Sequence, residues 1–386
     1  MSPLERGSHG GDPDLAWDVA LTPRLRDHVL RALVAAPGPE TQQRIIAGLL
    51  PRPEPVTADA VLEAIVRQRP AAREATAAQR AACAQALSAS GAVVRVPGGR
   101  GYPSRLAQAW PELGAPAWLV VRAPGGALPE RPTVGVVGTR RATLAGTRLA
   151  RELGRGLARA GACVVSGLAR GIDQAAQRGA LEVEGATVGV AGCGLDVDYP
   201  RGDEALRAAV ARAGGLVTEL APGTPPRPHQ FLARNRIIAG LCDAVVVVEG
   251  RDRSGALHTA RLAAAQGREV WAVPGHPLAS AAQAPLALIR DGAQVLTAVE
   301  DLLAAVVPAP AGQRDAGMAP ADDAPDPAAP SAPAQRVRER LDPVQPASLG
   351  ALAEATALGL PAVAAAVGEL VALGHARQTP QGVLAS

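Results

Sequence analysis

The chain of 386 residues contains no lysine, so all 39 of its basic residues are arginine. It therefore lacks the side-chain amine that forms a Schiff base and the lysine that a P-loop places on a nucleotide phosphate. Aromatic residues make up only 2% of the chain, while hydrophobic residues as a group make up 48%. The core must therefore be aliphatic, and the position of the only phenylalanine, Phe231, becomes informative.

Cysteine is also scarce, and the four cysteines form no Cys-x-x-Cys pair. Cys163, Cys193 and Cys242 lie in or beside apolar runs, which predicts buried free thiols and no metal site. No apolar run approaches the length of a membrane span, and residues 1–14 lack the apolar core of a signal peptide. We therefore expect a cytoplasmic protein without a membrane partner.

Four segments follow from shifts in composition. Residues 12–98 predict a small helical domain, and residues 99–305 predict a larger α/β domain. Residues 306–335 are rich in Pro, Ala and Asp, which predicts a disordered linker. Residues 336–386 predict two helices followed by a hairpin, the pattern of a winged-helix domain.

The α/β segment alternates apolar runs with stretches of helical periodicity. The runs have no polar alternation, which indicates strands that are buried on both faces of a mainly parallel, doubly wound sheet. The predicted strands are 133–137, 162–166, 186–191, 216–218, 244–248 and 269–273. The predicted helices between them are 143–160, 174–182, 203–213 and 255–265.

Glycine-marked loops are expected at the carboxyl edge of this sheet, at 138–141, 166–173, 192–196 and 231–240. Ligands of open α/β sheets bind at that edge, where helix N-termini and backbone amides face anions. Arginine adds a planar fork of donors that matches phosphate. Because several of these loops carry arginine, the sequence predicts a site for a polyanion.

Phe231 lies among cations, close to Arg234 and Arg236. An aromatic ring beside arginines can serve as a stacking platform for an unpaired base, and Asn235 could hydrogen-bond a base edge. The alternative is that Phe231 packs against the following helix while the two arginines face solvent. The sequence leaves both open.

The common fingerprints of nucleotide cofactors and of catalysis are absent. The residues after the first predicted strand lack the G-x-G-x-x-G spacing, and the chain contains no P-loop. Asp173 is predicted to cap the helix that begins there. No triad or carboxylate pair with a defined spacing is evident, so we expect no catalytic residue, no cofactor and no bound metal.

Taken together, these loops resemble the DprA/Smf family, the bacterial DNA-processing protein A. The resemblance runs from about Tyr102 to Asp301. It is carried by six ordered motifs, at 136–140, 165–173, 194–200, 223–226, 234–239 and 253–257.

The resemblance implies an extended Rossmann-like fold that binds single-stranded DNA and has no catalytic activity. It also implies that the protein loads a RecA-type recombinase during natural transformation and forms a homodimer through the Rossmann domain. The DNA contacts that we expect are Gly138, Thr139, Arg140, Gly167, Arg170, Gly171, Arg201, Phe231, Arg234, Asn235 and Arg236.

Two other functions are compatible with the same sequence features. The loops could serve a Rossmann-type enzyme that acts on a nucleotide or a phosphosugar. Alternatively, the tail could read duplex DNA as part of a transcription regulator. Its second predicted helix, 361–373, has no arginine and carries Glu369, whereas reading a duplex requires cations and hydrogen-bonding side chains at the groove. We therefore expect the tail to be a protein-contact or regulatory module.

Overall fold

The computed structural model describes residues 21–36, 38–51, 55–307, 331–341, 347–372, 375–379 and 382–385. The chain divides into two compact units, Met1–Ala309 and Pro310–Ser386. The first unit contains a nine-stranded sheet with its helices, and the second contains helices and a short hairpin.

The first unit begins with five helices, α1 (Pro23–Ala35), α2 (Pro39–Leu49), α3 (Ala58–Gln68), α4 (Pro70–Arg73) and α5 (Ala77–Ala89). Threonine side chains cap three of them, because a hydroxyl at this position accepts a hydrogen bond from an otherwise unpaired amide. Thr22 caps α1, Thr57 caps α3, and Thr76 forms a capping box with Gln79 at the start of α5. All five lie within residues 12–98, the segment that the sequence predicts to be helical.

The sheet has the order β1-β2-β6-β5-β4-β3-β7-β8-β9. Its strands are β1 (Val93–Arg95), β2 (Leu119–Arg122), β3 (Thr133–Val137), β4 (Cys163–Ser166), β5 (Thr187–Val190), β6 (Gly215–Thr218), β7 (Ala244–Val247), β8 (Glu269–Ala272) and β9 (Gln294–Val295). Strands β3 to β9 pair in parallel, while β1 and β2 extend one side antiparallel. The predicted α/β class, mainly parallel sheet and six core strands are confirmed.

Helices connect the strands on both faces of the sheet. They are α6 (Ser104–Gln108), α7 (Leu144–Arg159), α8 (Ile172–Leu181), α9 (Glu204–Ala213), α10 (Pro228–Leu241), α11 (Gly255–Ala265), α12 (Gln283–Arg290) and α13 (Val299–Val306). From β3 the chain first winds outward through β4, β5 and β6, and then returns to the other side of β3 with β7. The order of strands therefore reverses between β3 and β7, where open α/β sheets form a ligand crevice.

The N-terminal helices share a hydrophobic core with the sheet. Leu62 and Ile65 of α3 belong to the same buried cluster as Trp118, Leu206 and Leu216. The boundary that we predicted at residue 98 therefore does not separate two compact units, because these helices bury their apolar faces against the α/β layer.

Two further predictions need correction, one about a loop and one about the linker. Residues 231–240, expected to form a glycine-marked loop, lie within α10, which begins with Pro228 in the first helical turn. The predicted linker at 306–335 is too long at both ends. Val306 is the last residue of α13, and α14 (Ala332–Arg338) begins with Ser331 as its N-cap. The rest of the linker, 308–330, lies outside the described residues.

The second unit contains α14, α15 (Leu349–Thr356), α16 (Leu360–Ala372) and the antiparallel pair β10 (Ala376–Thr379) and β11 (Gly382–Ala385). Buried aliphatic side chains join these elements, among them Val337, Leu352, Val367, Leu370 and Val383. The predicted helices and hairpin are present, while the winged-helix assignment remains a prediction. In the described parts of both units, every helix is too short or too polar to cross a bilayer.

Candidate nucleic-acid interface

The loops that follow β3 and β4 meet closely at the carboxyl edge of the sheet. Gly171 has a φ of +86°, a conformation that favours glycine, and a side chain there would strike the Thr139 carbonyl. A side chain at Gly167 would strike the guanidinium group of Arg234. The two glycines therefore allow the loops to approach each other and α10 without intervening side chains.

Asp173 holds the loop after β4 in shape. Its Oδ2 accepts a hydrogen bond of 3.1 Å from the Gly167 amide, and the side chain is buried. Burial raises the pKa of Asp173, while the nearby Arg234 opposes that rise. We predicted a helix cap at this position, and the carboxylate instead joins the first turn of α8 to the start of the preceding loop.

A cavity of about 640 Å³ opens above these loops. Apolar groups such as Leu168, Cys193 and Tyr199 contribute to its wall. The wall also contains the arginines Arg140, Arg141, Arg170, Arg201, Arg207 and Arg234. No carboxylate or imidazole lines this cavity among the described residues, so its charged lining is cationic.

Phe231 stands at the edge of the cavity, half-buried near the start of α10. Its ring centroid lies 5.1 Å from that of Tyr199, with an interplanar angle of 36°. The guanidinium carbon of Arg140 lies 5.3 Å from the Phe231 centroid, within the range of a cation–π contact. The ring is therefore a wall of the cavity and not part of the apolar core.

Arg170, in the loop after β4, meets Arg201, in the loop after β5, at the cavity. Nη2 of Arg170 donates a hydrogen bond of 3.3 Å to the Arg201 carbonyl, which brings these two exposed residues together. The buried Arg207 anchors the loop after β5, because it donates hydrogen bonds to the carbonyls of Tyr199 at 2.9 Å and Leu195 at 3.3 Å.

Arg234 lies beneath the cavity and not on its surface. The side chain is buried, and Nη1 donates a hydrogen bond of 2.5 Å to the Val190 carbonyl. Burial lowers the pKa of Arg234 to about 10, although the neighbouring Asp173 acts in the opposite direction. Arg234 therefore forms the floor of the cavity, and its positive charge can attract an anion bound there.

The structure does not bring Arg236 into the cavity, which corrects its place in the predicted site. Its guanidinium group pairs with Glu219 through two hydrogen bonds of 3.1 and 2.6 Å, and both side chains are buried. Helix residues two positions apart point in different directions, so Arg234 and Arg236 do not share a face. Arg236 is thus a structural residue of the interior.

A second cavity, also of about 640 Å³, lies at the switch point between β3 and β7. Gly138, Thr139 and Asn235 line it, together with Arg251 and the first turn of α11. Arg140, Phe231 and Arg234 line both cavities. The predicted residues are thus divided between two adjoining cavities, and two of them, Gly171 and Arg236, line neither.

Sequence reasoning missed Arg141, Tyr199, Arg207 and Arg251 as parts of these walls. Tyr199 had a usable signal, because the chain has only two tyrosines and this one follows a predicted glycine-marked loop. The other three are arginines among many, and only the tertiary structure distinguishes them.

Residues 93–307, more than half of the chain, match the sequence family described as DNA recombination-mediator protein A. The chain belongs to this family. The predicted resemblance is therefore confirmed over the whole α/β sheet and its connecting helices.

Individual relatives agree with that membership. A protein of Mycobacterium tuberculosis is 47% identical over 168 residues, which cover 44% of this chain and 43% of the relative. The DNA processing protein DprA of Streptococcus pneumoniae is 41% identical over 173 residues, which cover 45% of this chain and 61% of that protein. The chain thus matches about half the length of these relatives.

The fold is also similar to a solved structure. The X-ray structure of DNA processing protein A from Streptococcus pneumoniae superposes with a TM-score of 0.60 and 29% sequence identity. The superposition covers 75% of this chain and 99% of that one.

Proposed function

We propose that this protein binds single-stranded DNA along the carboxyl edge of its sheet and delivers it to a RecA-type recombinase in natural transformation. The observation that carries the proposal is the ring of exposed arginines around one cavity with an aromatic wall. Those arginines are Arg140, Arg141, Arg170 and Arg201, and the aromatic is Phe231.

The chemistry of this cavity matches an unpaired strand. Guanidinium groups form paired hydrogen bonds with phosphate oxygens, and the flat face of Phe231 can stack with any base. In a duplex the bases are already stacked and paired, so they cannot reach a ring at the wall of a hollow. We therefore expect a preference for single strands with little dependence on sequence.

Binding rather than turnover is the proposed role of the site. The first cavity offers cations and peptide groups together with Tyr199 and Cys193, and burial raises the pKa of the Cys193 thiol. Asp173, which lines the second cavity, is buried and accepts a hydrogen bond from the Gly167 amide. A hydrolase or transferase acting on a nucleotide or phosphosugar would need a general acid or base at the reacting atom. No observation at these cavities favours that alternative.

The roles beyond DNA binding rest on family membership. The description of the family as a recombination mediator supports a recombinase partner, and we extend the proposal to a homodimer formed through the α/β domain. Mass measurement in solution tests the dimer. Nucleation of recombinase filaments on strands that are already coated with a single-strand-binding protein tests the loading step.

The decisive experiment is an anisotropy titration with oligo-dT and with a duplex of equal length, across several salt concentrations. If four arginines neutralise phosphates, log affinity should fall against log salt with a slope of about −3, at about 0.7 per phosphate. A protein that ignores oligo-dT, or that binds the duplex as tightly, would contradict the proposal.

A further inference from the structure

The second cavity adjoins the first across a shared wall. Phe231 and Arg140 line both, and beyond them the second cavity extends to the first turn of α11. A chain that leaves the first cavity over the Phe231 ring would therefore enter the second. The two hollows together form one groove along the edge of the sheet.

The charge of the second cavity also suits an anion. Arg251 lines its far side and is exposed. The only carboxylate of its lining among the described residues is Asp173, which is buried and bonded to the Gly167 amide. The free charge on this wall is therefore positive.

Several polar groups of this cavity have no partner within the described residues. Asn235 is 94% buried, since its exposed fraction is 6%, and its Nδ2 donates a hydrogen bond of 3.2 Å to the Gly255 carbonyl. In the described structure its Oδ1 accepts no hydrogen bond, so one side of this buried amide remains free for a ligand.

The backbone at the start of α11 adds donors for an anion. Ser254 caps this helix of 11 residues by accepting from the Leu257 amide. The amides of Gly255 and Ala256, in the first turn, have no acceptor within the part of the chain that the structure describes. Amides at a helix N-terminus are favourable partners for phosphate.

We infer that the second cavity is a second nucleotide subsite for the same strand. The buried amide of Asn235 meets a base edge, while the Gly255 amide and Arg251 hold the adjoining phosphate. This inference rests on the proposed function and extends it, because it gives the path of the strand over Phe231.

The test uses two single substitutions in one loop. Arg251→Ala removes a cation from the cavity, whereas Arg253→Ala removes another exposed cation, two residues away, that does not line it. Each variant and the unmodified protein are titrated with oligo-dT of about 4 to about 16 nucleotides, the range of site sizes seen in single-strand binders. Thermal melts verify that all three proteins are folded.

For the unmodified protein, affinity should rise in a step once the oligonucleotide is long enough to reach the second cavity. Arg251→Ala should lose most of that step, about fivefold at about 0.1 M salt, and reduce the salt slope by about 0.7. Its affinity for the shortest oligonucleotides should stay unchanged, and Arg253→Ala should retain the step.

Other outcomes separate the two claims. If the unmodified protein binds oligo-dT but both variants behave like it, the second subsite is wrong and the proposed function stands. If both variants weaken binding equally at every length, general charge explains the effect and the subsite is again wrong. If the unmodified protein does not bind oligo-dT, both claims fail.

Discussion

The guanidinium carbon of Arg140 lies 5.3 Å from the centroid of the Phe231 ring, so a cation and an aromatic face stand together at one wall. The pair joins two modes of recognition, because the cation attracts the phosphate chain and the ring offers a surface for a base. Each contribution can be removed separately and leaves a different signature in a binding titration.

Removing two of the cations should strongly weaken binding of oligo-dT without unfolding the protein. Arg140→Ala combined with Arg170→Ala should reduce the salt slope by about 1.4, at about 0.7 for each lost phosphate contact. Both residues are exposed, so the melting temperature should stay close to that of the unmodified protein.

A matched control removes the same charge from the other edge of the sheet. Arg159→Ala with Arg212→Ala acts on exposed residues in the last turns of α7 and α9. This control should bind oligo-dT normally. Equal losses in the two double variants would mean that net charge, and not the cavity, governs affinity.

Removing the ring should produce the opposite signature. Phe231→Ala should weaken binding of oligo-dT by about 1–3 kcal/mol with a nearly unchanged salt slope. Phe231→Tyr keeps the aromatic face and should retain most of the affinity. Aggregation or a large loss of stability in Phe231→Ala would show that the ring serves the core, as the alternative prediction states.

Arg236 should affect stability and not DNA affinity. Its substitution by alanine leaves the buried Glu219 unpaired, which should cost about 3–5 kcal/mol of the free energy of unfolding. Replacing both partners by methionine should recover much of that loss, since no charge is then left buried. Urea unfolding measures stability, and a titration of the folded Arg236→Ala protein should give an ordinary affinity for oligo-dT.

Titration of Asp173 should make the stability of the protein depend on pH. Because burial raises the pKa of Asp173 in the folded state, the folded protein holds this proton more tightly than the unfolded chain does. Between the ordinary pKa of an aspartate and the raised pKa of Asp173, the free energy of unfolding should fall with rising pH relative to that of Asp173→Asn. Above the raised pKa the difference should stay constant. Urea unfolding of both proteins at a series of pH values measures this difference, and a trend of opposite sign would contradict the burial argument.

Deleting the second unit should leave single-strand affinity nearly unchanged. The helix α16 has no arginine, and its Glu369 accepts hydrogen bonds from the Ser331 amide at 2.5 Å and hydroxyl at 2.6 Å. The deletion should begin at Pro310, because α14 begins before the boundary predicted from sequence. A tenfold loss of affinity for oligo-dT would assign the tail a direct part in binding.

The strands and most helices could be predicted because their signals are local. Uninterrupted runs such as 133–137 and 244–248 can only be buried on both faces, and the structure shows them so. The helix α10 was missed because its polar residues are satisfied by distant partners. Arg236 pairs with Glu219 across 17 positions, and Arg234 bonds Val190 across 44, so sequence alone suggested exposed cations.

Part of the site could also be predicted from the sequence, and part could not. Arg140 and Arg170 lie in glycine-marked loops whose place at the sheet edge follows from topology, and the structure brings both to the first cavity. Arg251 belongs to a loop on the other side of the switch point, and only the packing of α11 beside α10 brings it near Phe231.

The core that α1–α5 share with the sheet has a practical consequence. The family match starts at residue 93, yet a fragment cut there would remove part of the buried cluster that the N-terminal helices share with Trp118 and Leu216. The region by which this chain is recognised is therefore shorter than the region that can fold alone. Anyone isolating the DNA-binding part should begin upstream of α1 and stop near residue 309.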